Sequence, residues 1–208
     1  MPKTQTRRGA GSSGNGATGS GRRDELVQIA GRLFAENGFH VTTIRDVADA
    51  AGIQSGSLYH HFTSKESMVE ELLREYWEKL LAGYRNVAAT EPDATRAARG
   101  LIEHSVTLLD ECRYALSIML SDWAYLARSF PFMEQALQEC QNIWLEVLER
   151  GQREGAFDSA LDAKVVYRTI MASVSGTTRW FDPAGRLSAE QLAEEIAALF
   201  MGGVNARR

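Results

Sequence analysis

The sequence predicts an all-α protein: an N-terminal three-helix domain, then a larger helical domain, about nine helices in all. Apolar residues recur at three- and four-residue steps along most of the chain, and no segment alternates with the two-residue period of a strand. Capping residues and Gly or Pro breaks punctuate the pattern. With 208 residues, 44% of them apolar and 24% charged, the chain can bury a core without disulfides or metal.

The elements follow in order. Residues 9–21, Gly-Ala-Gly-Ser-Ser-Gly-Asn-Gly-Ala-Thr-Gly-Ser-Gly, have no apolar face to bury, so residues 1–21 are expected to form a disordered basic, Gly-rich arm. Periodicity begins at Asp24 with Leu26, Ile29, Ala30, Leu33 and Phe34, and Gly38 is a stop. Thr43 and Asp46 have capping-box spacing, with Asp in place of Glu. Ile44, Val47, Ala48 and Ala51 stripe a second helix that Gly52 ends. Ser55 or Gly56 opens a third, short helix through His61. Helices joined this tightly match a helix-turn-helix unit, placed at residues 22–66.

Residues 67–208 form the second domain. Ser64 is suited to cap a long helix striped by Met68, Val69, Leu72, Leu73, Tyr76, Leu80 and Leu81. Pro92-Asp93 and Phe130-Pro131 are breaks around two further helices. A long helix carries Met133 through Leu148 and stops between Gly151 and Gly155. Asp162 caps the next, and Ser188 with Gln191 forms a capping box for the last.

Charge narrows the function. The chain carries 23 Lys and Arg against 27 Asp and Glu, net −4, yet residues 1–23 are +5 and residues 66–208 are −7. A basic end on an acidic body suits a polyanion at the N-terminal end, although a solubilising tail has the same composition. Two cysteines make neither a disulfide framework nor a metal cluster and fit a reducing cytoplasm. No apolar run reaches membrane-span length. Nucleophile elbow, phosphate loop and paired His/carboxylate motifs are missing, so neither catalysis nor a cofactor is expected.

The informative segment is Thr42 to Lys65. A helix laid in the major groove reads bases with side chains near its N-terminus. Ser55, Gly56 and Ser57 are small enough to let the backbone approach. Leu58 and Phe62, four apart, anchor the helix to its core, while Tyr59, His60 and His61 present hydrogen-bonding groups outward. Lys65 adds a charge for flanking phosphate. His60 and His61 point in different directions and lack ligand-spaced companions, so no metal is expected. His61 can equally be a packed structural residue.

At these residues the sequence resembles the tetracycline-repressor (TetR) family of bacterial transcription regulators: Gly38-x-x-x-Thr42-Thr43-x-x-x-Val47-Ala48-x-x-Ala51-Gly52-Ile53-x-x-Gly56-Ser57-Leu58-Tyr59-x-His61-Phe62-x-x-Lys65. The resemblance implies a homodimer on double-stranded DNA at a palindromic operator, with repression relieved by a small-molecule effector. It implies that Thr43 and Lys65 hold phosphates, that Arg45, Ser55, Gly56 and Ser57 face the groove, and that Tyr59, His60 and His61 contact backbone or base edges. Arg22 and Arg23 would enter the minor groove or attract DNA without specificity. Val166-Tyr167-Arg168, Arg179-Trp180 and Gly202-Gly203 resemble actinobacterial members that sense acyl-CoA or steroid-derived metabolites.

For the effector, Met119, Trp123, Leu126, Phe130, Met133 and Trp144 supply large apolar surface, with Asp122, Arg168 and Arg179 as polar candidates. Residues at this spacing are also what a plain core contains. For the dimer, Ala172 and Ser173 permit close approach, and Val166, Ile170, Val174, Leu192, Ile196 and Phe200 supply apolar area. The alternative is a small-molecule-binding protein without specific DNA function.

Overall fold

The computed structural model describes residues 17–204, with side chains from residue 21 to 203. Most of the expected arm, residues 1–16, lies outside the described residues. Among the described residues the fold is all-helical: α1 (Ala17–Asn37), α2 (Ile44–Ala50), α3 (Ser55–Leu58), α4 (Lys65–Thr90), α5 (Ala94–Glu111), α6 (Arg113–Ser129), α7 (Phe132–Arg153), α8 (Ala163–Gly176) and α9 (Ala189–Val204), with a 3₁₀ turn at Thr177–Arg179.

Helix α1 starts at Ala17, so residues 17–21 of the expected arm are helical. Tertiary contacts fix the helix just after this stretch, at Arg22 and Arg23. The Arg23 guanidinium donates to the Glu71 carboxylate at 2.6–3.2 Å and to the His61 carbonyl, and lies 4.1 Å from the Phe62 ring centroid. Arg22 pairs with Glu25 at 2.6 Å and donates to the Ala51 carbonyl. Both arginines, expected as minor-groove candidates, are therefore engaged in fixing α1 to its neighbours.

The head closes around Leu26, Ala30, Phe34, Phe39, Val47, Leu58 and Phe62, all buried. Positive φ at Gly38 (92°) and Gly52 (66°) turns the chain where a Cβ would be strained. The expected division at residue 66 falls inside α4. Its first turn is capped by Ser64, reciprocally with Ser67, and the helix runs on into the body.

The body packs α4 to α9 around Tyr84, Leu101, Ile102, Ile118 and Trp144. Asp93 caps α5 and Asp162 caps α8, and Ser188 and Gln191 bond reciprocally ahead of α9. Helix α6 is interrupted at Asp122 (φ −126°, ψ 26°). Among the described residues no helix is long and apolar enough to cross a membrane, and no group of three or more His, Cys, Asp or Glu could hold a metal.

Candidate nucleic-acid interface

The head presents α2 and α3 with their polar sides outward. Thr43 caps α2. Its hydroxyl accepts from the Asp46 N–H at 3.2 Å and donates to the Asp46 carboxylate at 2.7 Å, and the Thr43 N–H donates to that carboxylate at 2.8 Å. These bonds hold the Asp46 carboxyl below its ordinary range, the Thr43 N–H contributing most. A cap with Asp at this position fixes the α2 N-terminus to the turn before it.

Helix α3 is shorter than its sequence pattern. After Leu58 the bonds tighten, His60 N–H to Ser57 carbonyl at 3.3 Å and His61 N–H to Leu58 carbonyl at 2.9 Å, a three-residue repeat in place of the α-helical four. Leu58 and Phe62 still anchor it, both buried. Thr43, Arg45, Gly56, Ser57, Tyr59 and His60 are exposed on this side, with Ser55 half-buried. Arg45 is 84% exposed and 3.9 Å from Asp49, a loose contact that costs little to break. Tyr59 is 58% exposed. A Cβ built at Gly56 would meet nothing within 4 Å, so the protomer's own packing does not call for glycine there.

Two expected DNA residues sit differently. The Lys65 ammonium donates to the carbonyls of Phe39, His40 and Thr42 at 2.8–3.2 Å and lies 4.5 Å from the Phe39 ring, so it braces the α1–α2 turn. His61 is half-buried, with its carbonyl held by Arg23.

Residues 26–72 match the family described as bacterial regulatory proteins, tetR family, and residues 93–204 match the tetracyclin repressor-like C-terminal domain. The chain belongs to the TetR family. It is 39% identical over 186 residues to the HTH-type transcriptional repressor KstR2 of Mycolicibacterium smegmatis, covering 88% of this chain and 90% of that one. Against the KstR2 of Rhodococcus jostii it is 37% identical over 187 residues, covering 89% and 92%. The solved structure of the ketosteroid transcriptional regulator KstR2 of Mycobacterium tuberculosis superposes with a TM-score of 0.87 at 37% identity, covering 89% of this chain and 96% of that one. The chain is thus a DNA-binding regulator of transcription of the helix-turn-helix type.

The TetR-family body disperses the residues expected to meet an effector. Leu126, Met133 and Trp144 are fully buried, and Met119 and Phe130 are nearly so; these are core. Trp123 is half-buried, and Arg168 and Arg179 are exposed. Asp122 turns to the head, 3.3 Å from the His40 ring. The buried polar set around Trp144 had no sequence signal, because it joins four helices. Tyr84 shares a 2.5 Å hydrogen bond with Ser105, and the Tyr167 hydroxyl donates to the Cys140 sulfur at 3.8 Å. Burial pushes the Tyr84 and Tyr167 phenols up. Among the described residues the indole nitrogens of Trp77 and Trp144 have no hydrogen-bond partner.

The expected dimer residues divide in the same way. Ile170, Val174, Leu192 and Ile196 are buried in the protomer's own core, because α8 and α9 turn those stripes inward. Val166 and Phe200 are half-buried, and Ala172 and Ser173 are exposed. The large apolar side chains exposed on these helices and the turn between them are Val165 (60%), Trp180 (63%) and Leu199 (75%), none of them among the expected dimer residues. An open cleft of about 500 Å³ lies between Ala172, Gly176, Trp180, Leu199 and Phe200.

Proposed function

We propose that this regulator is a repressor that binds a palindromic operator as a homodimer and is released by a small amphipathic metabolite, an acyl-CoA or a steroid-derived acid. The observation that carries the DNA side is the exposed row of Arg45, Gly56, Ser57 and Tyr59, with a glycine that internal packing does not require. Thr43 and His60 flank that row and are suited to phosphate. Phosphate contacts set register, and Arg45 and Tyr59 read bases. The face of Val165, Trp180 and Leu199 supplies apolar area for two-fold pairing, which sets two α3 helices about 34 Å apart. Two relatives named repressors at 37–39% identity support the regulatory sense, and a third, named a ketosteroid transcriptional regulator, supports the effector class. The effector shifts the population of head positions through its differential affinity for them.

The test is binding of the purified protein to its own upstream intergenic DNA and to scrambled DNA at two salt concentrations. A protected palindrome whose affinity falls by roughly 10³ to 10⁵ between 50 and 200 mM salt is the expected result for about six to ten phosphate contacts. Equal, weak binding to both DNAs, repeated after selection from random sequence, would favour a small-molecule-binding protein without specific DNA function.

A further inference from the structure

Sequence reasoning placed Asp122 with an effector, and the structure places it against the DNA head. Helix α6 leaves helical geometry at Asp122 without a Pro or Gly to cause it. The preceding Ser121 hydroxyl donates to the Ser117 carbonyl at 3.0 Å, a back-bond that bends helices. The break brings the Asp122 Oδ1 to 3.3 Å from the His40 Nε2. One turn further on, the Tyr125 ring packs 4.9 Å from the His40 ring and 5.7 Å from that of Phe39.

The α1–α2 turn is thereby held from three sides. From α1, Phe34 packs edge-on against Phe39 at 5.3 Å. From α4, Lys65 donates to three carbonyls, that of His40 among them. From α6 come Asp122 and Tyr125. The turn ends at Thr43, whose capping box fixes the start of α2. The break in α6 is thus linked by contacts to the start of α2, and through the Ala51 to Ile53 turn to α3.

Resting on the DNA-binding reading, we propose that Asp122 is a positioning residue: its carboxylate holds His40 and so sets where the DNA-reading helices stand on the body. The contact from α6 carries charge, whereas the packing from α1 is aromatic. The groups facing His40 are Asp122 and Tyr125 from α6, Lys65 from α4 on its carbonyl, and Phe39 from its own turn. A held head loses less freedom on docking, so loosening it weakens DNA binding.

The experiment compares the wild type, Asp122→Asn, His40→Gln and the double variant. Melting curves confirm that each is folded. Amide hydrogen exchange of residues 38–50 in the free protein reads the contact without DNA. Affinity for a palindrome selected from random sequence is then measured. Faster exchange confined to residues 38–50 in each variant is expected. So is a loss of about two- to fivefold in affinity per head, with the same loss in the double variant as in either single one. Wild-type exchange in the variants overturns the proposal even if DNA binding is never found. Wild-type affinity in Asp122→Asn overturns it while leaving the DNA-binding reading intact.

Discussion

Gly56 in the head and Gly151 in the body are the same residue for opposite reasons. A Cβ at Gly56 would meet nothing within 4 Å, whereas one at Gly151 would lie 2.3 Å from the Phe157 ring. Phe157 is buried, so the close approach at the end of α7 is filled by the protein's own ring. The tyrosines make the same contrast. Tyr59 stands 58% exposed in the head, while Tyr84 is fully buried in the body with its hydroxyl bonded to Ser105. In the body, unusual residues are explained by what lies inside. In the head, the protomer's own packing calls for neither residue, and the proposed DNA contact would account for both.

Substitutions can break this contrast, the largest effect first. Gly151→Ala should destabilise the protein by about 1–3 kcal/mol by overpacking against Phe157, despite the better helix propensity of Ala; a chemical-denaturation midpoint equal to wild type would show that the ring moves freely. Gly83→Ala tests the same rule where His104 fills the gap at 2.0 Å from the added carbon, and its cost should be somewhat smaller because that ring is only half-buried.

Next come substitutions that separate folding from function. Arg45→Ala should leave the melting temperature unchanged and cost about 1–3 kcal/mol of discrimination at one base position. A binding-site selection with an unchanged profile would remove Arg45 from base reading. Leu199→Glu should yield a folded monomer by light scattering, whereas Ile170→Glu should fail to fold, since one side chain is 75% exposed and the other fully buried. A dimeric Leu199→Glu protein would move the pairing face elsewhere.

The smallest effects are local. Thr43→Ala should cost about 1 kcal/mol through the lost α2 cap. The cap also gives a pH dependence. The Asp46 carboxyl sits below its ordinary value of 3.8 in the folded state, so its stabilisation is complete at neutral pH and fades as pH falls through and below about 4. Exchange at the α2 N-terminus should rise only there; a rise already at pH 6 would assign it to another group. In the body, burial pushes the Cys140 thiol up to about 11 and Cys112 likewise. Both should resist alkylation at pH 8 until the protein unfolds.

Much of the fold was legible because its signals are local. Thr43, Ser64, Asp162 and the Ser188–Gln191 pair cap helices in the structure as their spacing predicts. The exposure of Arg45, Ser57 and Tyr59 was legible too, since they break the apolar pattern. An effector site in the body was not. Met119, Leu126 and Trp144 carry the same signal as core, and apolar spacing does not tell a ligand from a neighbouring helix. Val165 and Leu199 are exposed where Ile170 and Leu192 are buried, because each helix has two apolar stripes and which one turns inward depends on α5 and α7.

The sequence alone determined the all-helical order, the capped starts of α2, α4, α8 and α9 and the family, because each rests on residues within a few positions of one another. Tertiary structure decided the rest. Helix α1 is fixed to its neighbours because Arg23 finds Glu71 and Phe62. Lys65 braces a turn because three carbonyls from another segment converge on its ammonium. Asp122 faces His40 because α6 breaks where it crosses the head. These partners are distant in sequence, and the free energy that selects each pairing exists only once the helices have packed.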